Sequence, residues 1–474
     1  MSRVNWENEV EKRKTELISE TRKFLQIASV LDESSAKPGQ PFGTGINDAL
    51  NLLLKIGEEC NFHVKNLDGY AGYIEFGKGE ESVGILCHVD VVPEGEGWTR
   101  PPYAADIVDG KIIARGAIDD KGPTMAAFYA MKIVKELGLP LSKRVRMIIG
   151  TDEESTWQCV DHYFKHEEMP TVGFAPDADF PIIYAEKGIC DIKLKQEMKT
   201  EHKKEQSYPR LISLQAGRRM NMVPDDARAT VQIKEEDFLS ITNQFDEFLK
   251  ANQINGDTSG EKNELTFVVK GKSAHGMEPK LGVNAGLFLC DFLNRLLIAS
   301  QGKQFVQFIT DFLHQDFRGK QLGIPYSDEI TGDLTVNCGL VSYEDSNGGS
   351  IGLNIRYPVT NDGKEMIKRL ESVAEKSGFS LAVLDHSPPH HVDKDHSLIQ
   401  TLSKVYEEQT GQKAELLSIG GGTYARSLES GVAFGPLFPG REDVAHQKDE
   451  YIMIDDLLKA TAIYAHAIYE LAKE

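Results

Sequence analysis

An α/β fold with a mixed sheet, interrupted by a separate α+β domain, is predicted by three features of the 474-residue sequence. Over about the first 185 residues, apolar β-type runs alternate with helical patterns, which is how α/β sheet domains read. After Lys187 the texture changes to alternating, half-buried strands with helical segments between them. Near Pro388-Pro389 the chain turns again and an amphipathic helical pattern resumes, so the tail returns to the first domain. The predicted division is 1–187 with 384–474, and 188–383 as an insertion.

Each element follows from its residue pattern. Trp6, Val10, Leu17, Phe24, Leu25 and Ala28 recur at helical intervals among charges and predict an amphipathic first helix over 6–28. Residues 73–76 and 82–90 read as strands, the second apolar enough to be central; 120–137 reads as a helix and 145–150 as another buried strand. Residues 195–210 are polar and rich in Lys and Glu, and the runs 211–214, 227–233 and 265–269 read as strands beyond them. A helix over 395–410 is expected to stop at Gly411, which tolerates the left-handed conformation of a helix C-terminus.

Composition excludes several classes of function. With 40% hydrophobic and 27% charged residues the chain has a core to bury, and 53 Lys+Arg against 73 Asp+Glu leave a net charge of -20. Such a surface repels phosphate backbones and anionic lipid, so neither nucleic acid nor membrane is an expected partner. Cys60, Cys87, Cys159, Cys190, Cys290 and Cys338 contain no Cys-x-x-Cys pair and read as free thiols in a reducing compartment. No run of 18 apolar residues occurs and the first 21 residues lack the apolar centre of a signal peptide, so a cytoplasmic location is expected.

Five short clusters gather His, Asp and Glu where strands end. In His88-Val89-Asp90, period-two alternation puts both polar side chains on one side, where the carboxylate can hold the imidazole while its other nitrogen meets a metal. Asp119-Asp120-Lys121-Gly122 places adjacent carboxylates at a loop-to-helix junction, where a helix cap is the alternative role. Asp152-Glu153-Glu154 follows a buried strand, the place where open α/β sheets receive ligands; a solvated acidic turn is the alternative. Pro176-Asp177-Ala178-Asp179 and Ala445-His446-Gln447-Lys448-Asp449-Glu450 complete the set.

In order and spacing these clusters resemble the M20 family of metallopeptidases, the aminoacylase, carboxypeptidase and dipeptidase group, from about residue 84 to His446. The resemblance implies a di-metal catalytic domain with an inserted lid domain. It further implies that His88 and Asp177 hold one ion, Glu154 and His446 the other, and that Asp119 bridges them. Glu153 would be the general base acting on a metal-activated water, and Asp90 the carboxylate behind His88. Two divalent ions about 3.5–4 Å apart can bring the pKa of a bound water towards roughly 7, and a carboxylate outside the ligand set then takes its proton. A donor set without thiolate points to Zn²⁺ first, then Mn²⁺ or Co²⁺.

The middle of the chain adds a second group. Lys270-Gly271-Lys272-Ser273-Ala274-His275-Gly276, followed by Pro279, Gly282, Val283 and Asn284, resembles the lid-domain motif whose histidine stabilises the tetrahedral oxyanion. Asn221 and Arg356 resemble substrate-binding positions; the Arg356 fork suits a terminal carboxylate, to which Gly421 and Gly422 could present backbone N–H groups. Pro123, the stretch from Pro176 to Pro181 and Ala185-Glu186-Lys187-Gly188 look most like the peptidase V-type branch of bacterial dipeptidases, which cleave Xaa-Xaa and carnosine-like substrates. The cationic Arg218-Arg219 lead into Asn221 departs from that branch. The branch implies a dipeptide as the small peptide partner and a single-chain lid, hence a monomer, with a dimer as the other outcome. An N-acyl-amino-acid deacylase or desuccinylase of the same family is the competing activity.

Overall fold

The computed structural model describes residues 4–197, 208–297 and 300–473. The polar stretch 195–210 therefore lies largely outside the described residues. Two compact units emerge: 1–184 with 391–417 and 423–474, and 185–390 with 418–422. The breaks predicted from the sequence stand at 187/188 and 383/384; the short segment 418–422 groups with the second unit although its chain neighbours belong to the first.

The first unit is built on a mixed sheet. Its strand order is His63–Leu67, Ala71–Phe76, Arg144–Gly150, Ser82–His88, Val172–Ala175, Gly431–Ala433 and Ile182–Glu186, with His390–His391 and Leu416–Ile419 beside the last. Ser82–His88 runs parallel to Arg144–Gly150 on one side and to Val172–Ala175 on the other, while Ala71–Phe76 pairs antiparallel with Arg144–Gly150. All seven residues of Ser82–His88 are buried, as expected for a strand covered on both faces.

The helix Lys121–Glu136 packs on this strand and against Ile454–Ala472. Its Ala- and Met-rich sequence favours the helix, and Pro123 sits in the first turn, where no intrahelical N–H bond is lost. Gly138, at φ +60°, follows its end. The predicted first helix is broken into Trp6–Glu11 and Lys14–Leu25. At the break Arg13 donates Nη1 to the Glu9 carbonyl at 2.7 Å, the acceptor a continuous helix would use for the Arg13 N–H, which goes to the Val10 carbonyl instead; Nε and Nη2 bond Glu136.

The second unit is an eight-stranded sheet in the order Asn255–Glu261, Glu264–Lys270, Asp226–Gln232, Arg210–Ala216, Thr335–Glu344, Gly348–Tyr357, Gly188–Gln196 and Phe379–Ser387, antiparallel throughout. Glu264–Lys270 alternates buried and exposed residues, the mark of a sheet with one wet face. Its core includes Phe245, Phe267, Phe292 and Phe305 from the helices and strands. The helix Ser397–Thr410, back in the first unit, ends at Gly411 in the left-handed conformation. No helix among the described residues is long and apolar enough to cross a membrane, and all six cysteines are free.

Candidate active site

The parallel strands Ser82–His88, Arg144–Gly150 and Val172–Ala175 run in one direction and finish at the same end of the first unit's sheet, and the polar clusters lie just beyond those ends. His88 is the last residue of its strand and fully buried. Its Nδ1 lies 3.0 Å from the Asp90 carbonyl and 3.3 Å from the Asp90 carboxylate. The same carboxylate accepts the backbone N–H of Glu153 at 3.2 Å and of Glu154 at 2.9 Å. Asp90 thus fixes both the ring of His88 and the turn that carries the two glutamates.

On its other side, His88 Nε2 faces Asp119 Oδ1 at 3.1 Å and Asp177 Oδ2 at 3.6 Å. Asp119 Oδ2 meets His446 Nε2 at 2.9 Å, and His446 Nε2 lies 3.0 Å from Glu154 Oε1. One carboxylate therefore touches both imidazoles, one through each oxygen. His446 reaches this position from a backbone at φ +62°, a left-handed conformation that His adopts more readily than most side chains.

Donor atoms fall into two groups, His88, Glu153 and Asp177, and Asp119, Glu154 and His446, each within 4.8 Å. The buried His88 Nε2 makes no well-formed hydrogen bond among the described residues. Burial pushes the carboxyl of Asp177 up to about 6 and that of Glu154 to about 6, and it holds Glu153 well above the ordinary range. Hydrogen bonds donated by the ring to Asp119 and then Glu154 lift the His446 pKa to about 11. Several half-buried carboxylates around two imidazoles make a place that stabilises positive charge, and an orphaned ring nitrogen among them suits a coordinated cation. The residues fit a dinuclear metal site.

The remaining carboxylates of the clusters have structural work. Asp120 stands at the N-cap of Lys121–Glu136, but its carboxylate, in place of capping the helix N–H groups, accepts the His88 backbone N–H at 3.1 Å and the Thr124 hydroxyl at 3.0 Å. Asp152 is buried and accepts from the backbone of Thr156 at 3.2 Å and Gln158 at 2.9 Å and from the hydroxyls of Ser155 and Thr156. Only Glu153 and Glu154 of that triplet enter the donor groups.

Four residues to which the sequence assigns no role, Tyr424, Gly150, Glu450 and Arg115, also bear on the site. Tyr424 is buried edge-on to His88, with ring centroids 6.0 Å apart, and its hydroxyl lies 2.9 Å from Cys159 Sγ. Gly150 makes room for it, because a Cβ there would stand 1.8 Å from the Tyr424 hydroxyl. Glu450 and Arg115 form a fully buried ion pair beside Asp119. Glu450 stood in view, four residues after His446, but no spacing rule links it to Arg115.

The second unit gathers the other predicted residues. Met222 and His275 face each other in an isolated bridge, and Gly276 N–H donates to the Asn221 carbonyl at 2.7 Å, so Asn221 and His275 sit on adjoining loops, both exposed. The Met277 N–H donates to His275 Nδ1 at 3.1 Å, which leaves Nε2 as the nitrogen that carries the proton in a neutral ring. Although the residue is exposed, partial desolvation of its ring, with the Arg356 guanidinium adding to it, lowers the His275 pKa and favours that neutral form. Arg356 is buried, donates Nε to Asn354 Oδ1 at 2.9 Å and Nη1 to the Gly420 carbonyl at 3.2 Å, and so adjoins Gly421 and Gly422.

A family model for peptidase family M20/M25/M40 matches residues 84–470. "Putative dipeptidase YtjP" of Bacillus subtilis (strain 168) is 57% identical over 473 residues, covering 99% of this chain and 100% of the relative. A "Putative dipeptidase" of Staphylococcus epidermidis is 44% identical over 469 residues, with 99% and 100% covered. Among solved structures, the dipeptidase Dug1p of Saccharomyces cerevisiae is similar at a TM-score of 0.57 and 14% identity, covering 99% of this chain and 98% of that one. Human carnosine dipeptidase 1 gives 0.56 and 13%, with 98% of both chains covered; at such identities the two structures speak for the fold alone. With the model spanning most of the chain and these relatives matching end to end, this protein belongs to peptidase family M20/M25/M40 and is a hydrolase of peptide bonds.

Proposed function

We propose that the chain is a metal-dependent dipeptidase, with 1–187 and 384–474 as its catalytic domain and 188–383 as an inserted lid domain. The observation that carries the reading is Asp119 touching His88 and His446 through separate oxygens, between two sets of donors. The names of its end-to-end relatives support the choice of dipeptides. His88 and Asp177 would hold one divalent ion, Glu154 and His446 the other, with Asp119 shared. When bound, such a pair polarises a carbonyl and acidifies water. The donors suit Zn²⁺ first, Mn²⁺ or Co²⁺ next.

The protein's own groups do the rest. Glu153 is the general base: burial raises its affinity for a proton, and the bond from its N–H to Asp90 fixes the turn that presents it. Asp90 holds the His88 ring in orientation. His275 donates Nε2–H to the developing oxyanion, the tautomer that the Met277 N–H favours. Arg356, with the amides of Gly421 and Gly422, receives the substrate's carboxylate, and Asn221 contacts the substrate near His275. We place the enzyme in the cytoplasm as a monomer.

A chelator should abolish hydrolysis of unblocked dipeptides, and added Zn²⁺ or Mn²⁺ should restore it. Full activity in metal-free protein overturns the metal reading. Faster turnover of N-acetylated or N-succinylated amino acids than of every dipeptide tested replaces dipeptidase by amidohydrolase.

A further inference from the structure

Asp119 and His446 lie far apart in the chain yet converge with 2.9 Å between their polar atoms, and one buried residue ties their two segments together. Glu450 Oε1 accepts the backbone N–H of Ile118 at 3.0 Å and of Asp119 at 3.3 Å. Its Oε2 accepts Arg115 Nη1 at 2.5 Å, and Arg115 Nη2 donates onward to the Glu94 carbonyl at 3.2 Å. The Glu450 carbonyl in turn accepts the Ala114 N–H at 3.0 Å. Immediately beyond, Tyr451–Met453 pairs antiparallel with Lys111–Ile113. Both Glu450 and Arg115 are essentially without solvent exposure.

We propose that Glu450 is a positioning residue, which sets the distance between Asp119 and His446 so that both can grip one cation. Neither ligand can fix that distance alone. Asp119 precedes the helix Lys121–Glu136 in a turn whose N–H groups need an acceptor, and the Glu450 carboxylate supplies it. His446 is half exposed and held by its backbone, which takes positive φ at His446 and again at Asp449. Asp449 is anchored separately by the N–H and hydroxyl of Thr99, at 2.8 and 3.0 Å. The loop from His446 to Glu450 is therefore pinned at its far end to the segment that bears Asp119. Residues that orient ligands in this way govern ion affinity, typically by 10–100-fold.

The inference rests on the metal reading above, and its test separates the two. Removing Glu450 alone would strand a buried guanidinium, so the pair is replaced whole, which buried ion pairs tolerate. In Arg115→Met with Glu450→Leu the two N–H groups lose their acceptor. In Arg115→Met with Glu450→Gln an amide oxygen still receives them. Dissociation constants for Zn²⁺ and, separately, Mn²⁺ are measured by competition with a chromophoric chelator on protein checked by near-UV circular dichroism. The Leu pair should bind its weaker-held ion about 10–100-fold less tightly, and the Gln pair within about threefold of the unaltered protein. Equal weakening in both, or none in the Leu pair, overturns the inference. Unaltered protein that binds neither ion overturns the metal reading along with it. A second measurement needs no variant: on adding Zn²⁺, hydrogen exchange should slow together in peptides covering 115–120 and 446–452, and slowing in one without the other overturns the coupling.

Discussion

The two units hold their chemically active side chains in opposite ways. In the first, carboxylates and imidazoles are packed at strand ends, and backbone N–H groups, as at Asp90 and Asp120, fix them in place. In the second, Asn221 and His275 stand exposed on adjoining loops, and of its predicted residues Arg356 alone is buried. Buried charge needs a partner or a cation to persist, whereas an exposed imidazole costs the fold little. Substitution of the residues proposed to hold ions in the first unit should therefore change what is bound, and substitution in the second should change rate or recognition with bound ions untouched.

The largest effect should come from splitting two neighbours within the first unit. Glu153→Gln should lower kcat by about 10²–10⁴ with ion content retained, because the amide cannot take a proton. Glu154→Gln should release ion instead. Metal analysis beside steady-state kinetics checks this, and the reverse pattern exchanges their roles.

Next comes His275→Ala, which should cost about 10²–10³ in kcat through loss of a donor to the oxyanion, with ion content unchanged. Loss of ion from this variant would break the contrast between the units. Arg356→Ala should reduce the preference for free over amidated dipeptides by about 10², the scale of a buried hydrogen-bonded charge pair. Comparing kcat/KM for the two substrates reads it directly.

The smallest effect sharpens the comparison from inside the acidic triplet. Asp152→Ala should lower stability by about 1 kcal/mol, since its carboxylate caps the turn through the Thr156 and Gln158 N–H groups. Denaturant melts measure that loss, and ion affinity should change far less than in Glu154→Gln.

Much of this arrangement is legible in the sequence because short-range pattern carries it. Period-two alternation puts His88 and Asp90 together, and the buried runs before Asp152 and Asp177 mark strands whose ends can receive a ligand. What escapes is pairing over long separations. Nothing near Arg115 announces Glu450, and nothing near Arg13 announces Glu136, yet one pair borders Asp119 and the other lies at the break between Trp6–Glu11 and Lys14–Leu25. The segment 418–422 escapes for the same reason, since its place is set by bonds such as those from Lys187 N–H to the Ile419 carbonyl and from Arg356 to the Gly420 carbonyl.

The strand Gly431–Ala433 sits inside the first unit's sheet, between Val172–Ala175 and Ile182–Glu186. A ribosome making this chain must therefore add roughly 260 residues after Ala175 before that edge finds its partner. At about 5–20 residues per second the wait is roughly 13–50 s. Throughout it the nascent first unit carries an open parallel edge, and His446 has yet to be made. The second unit, whose sheet is complete once residue 387 is made, can fold during that interval.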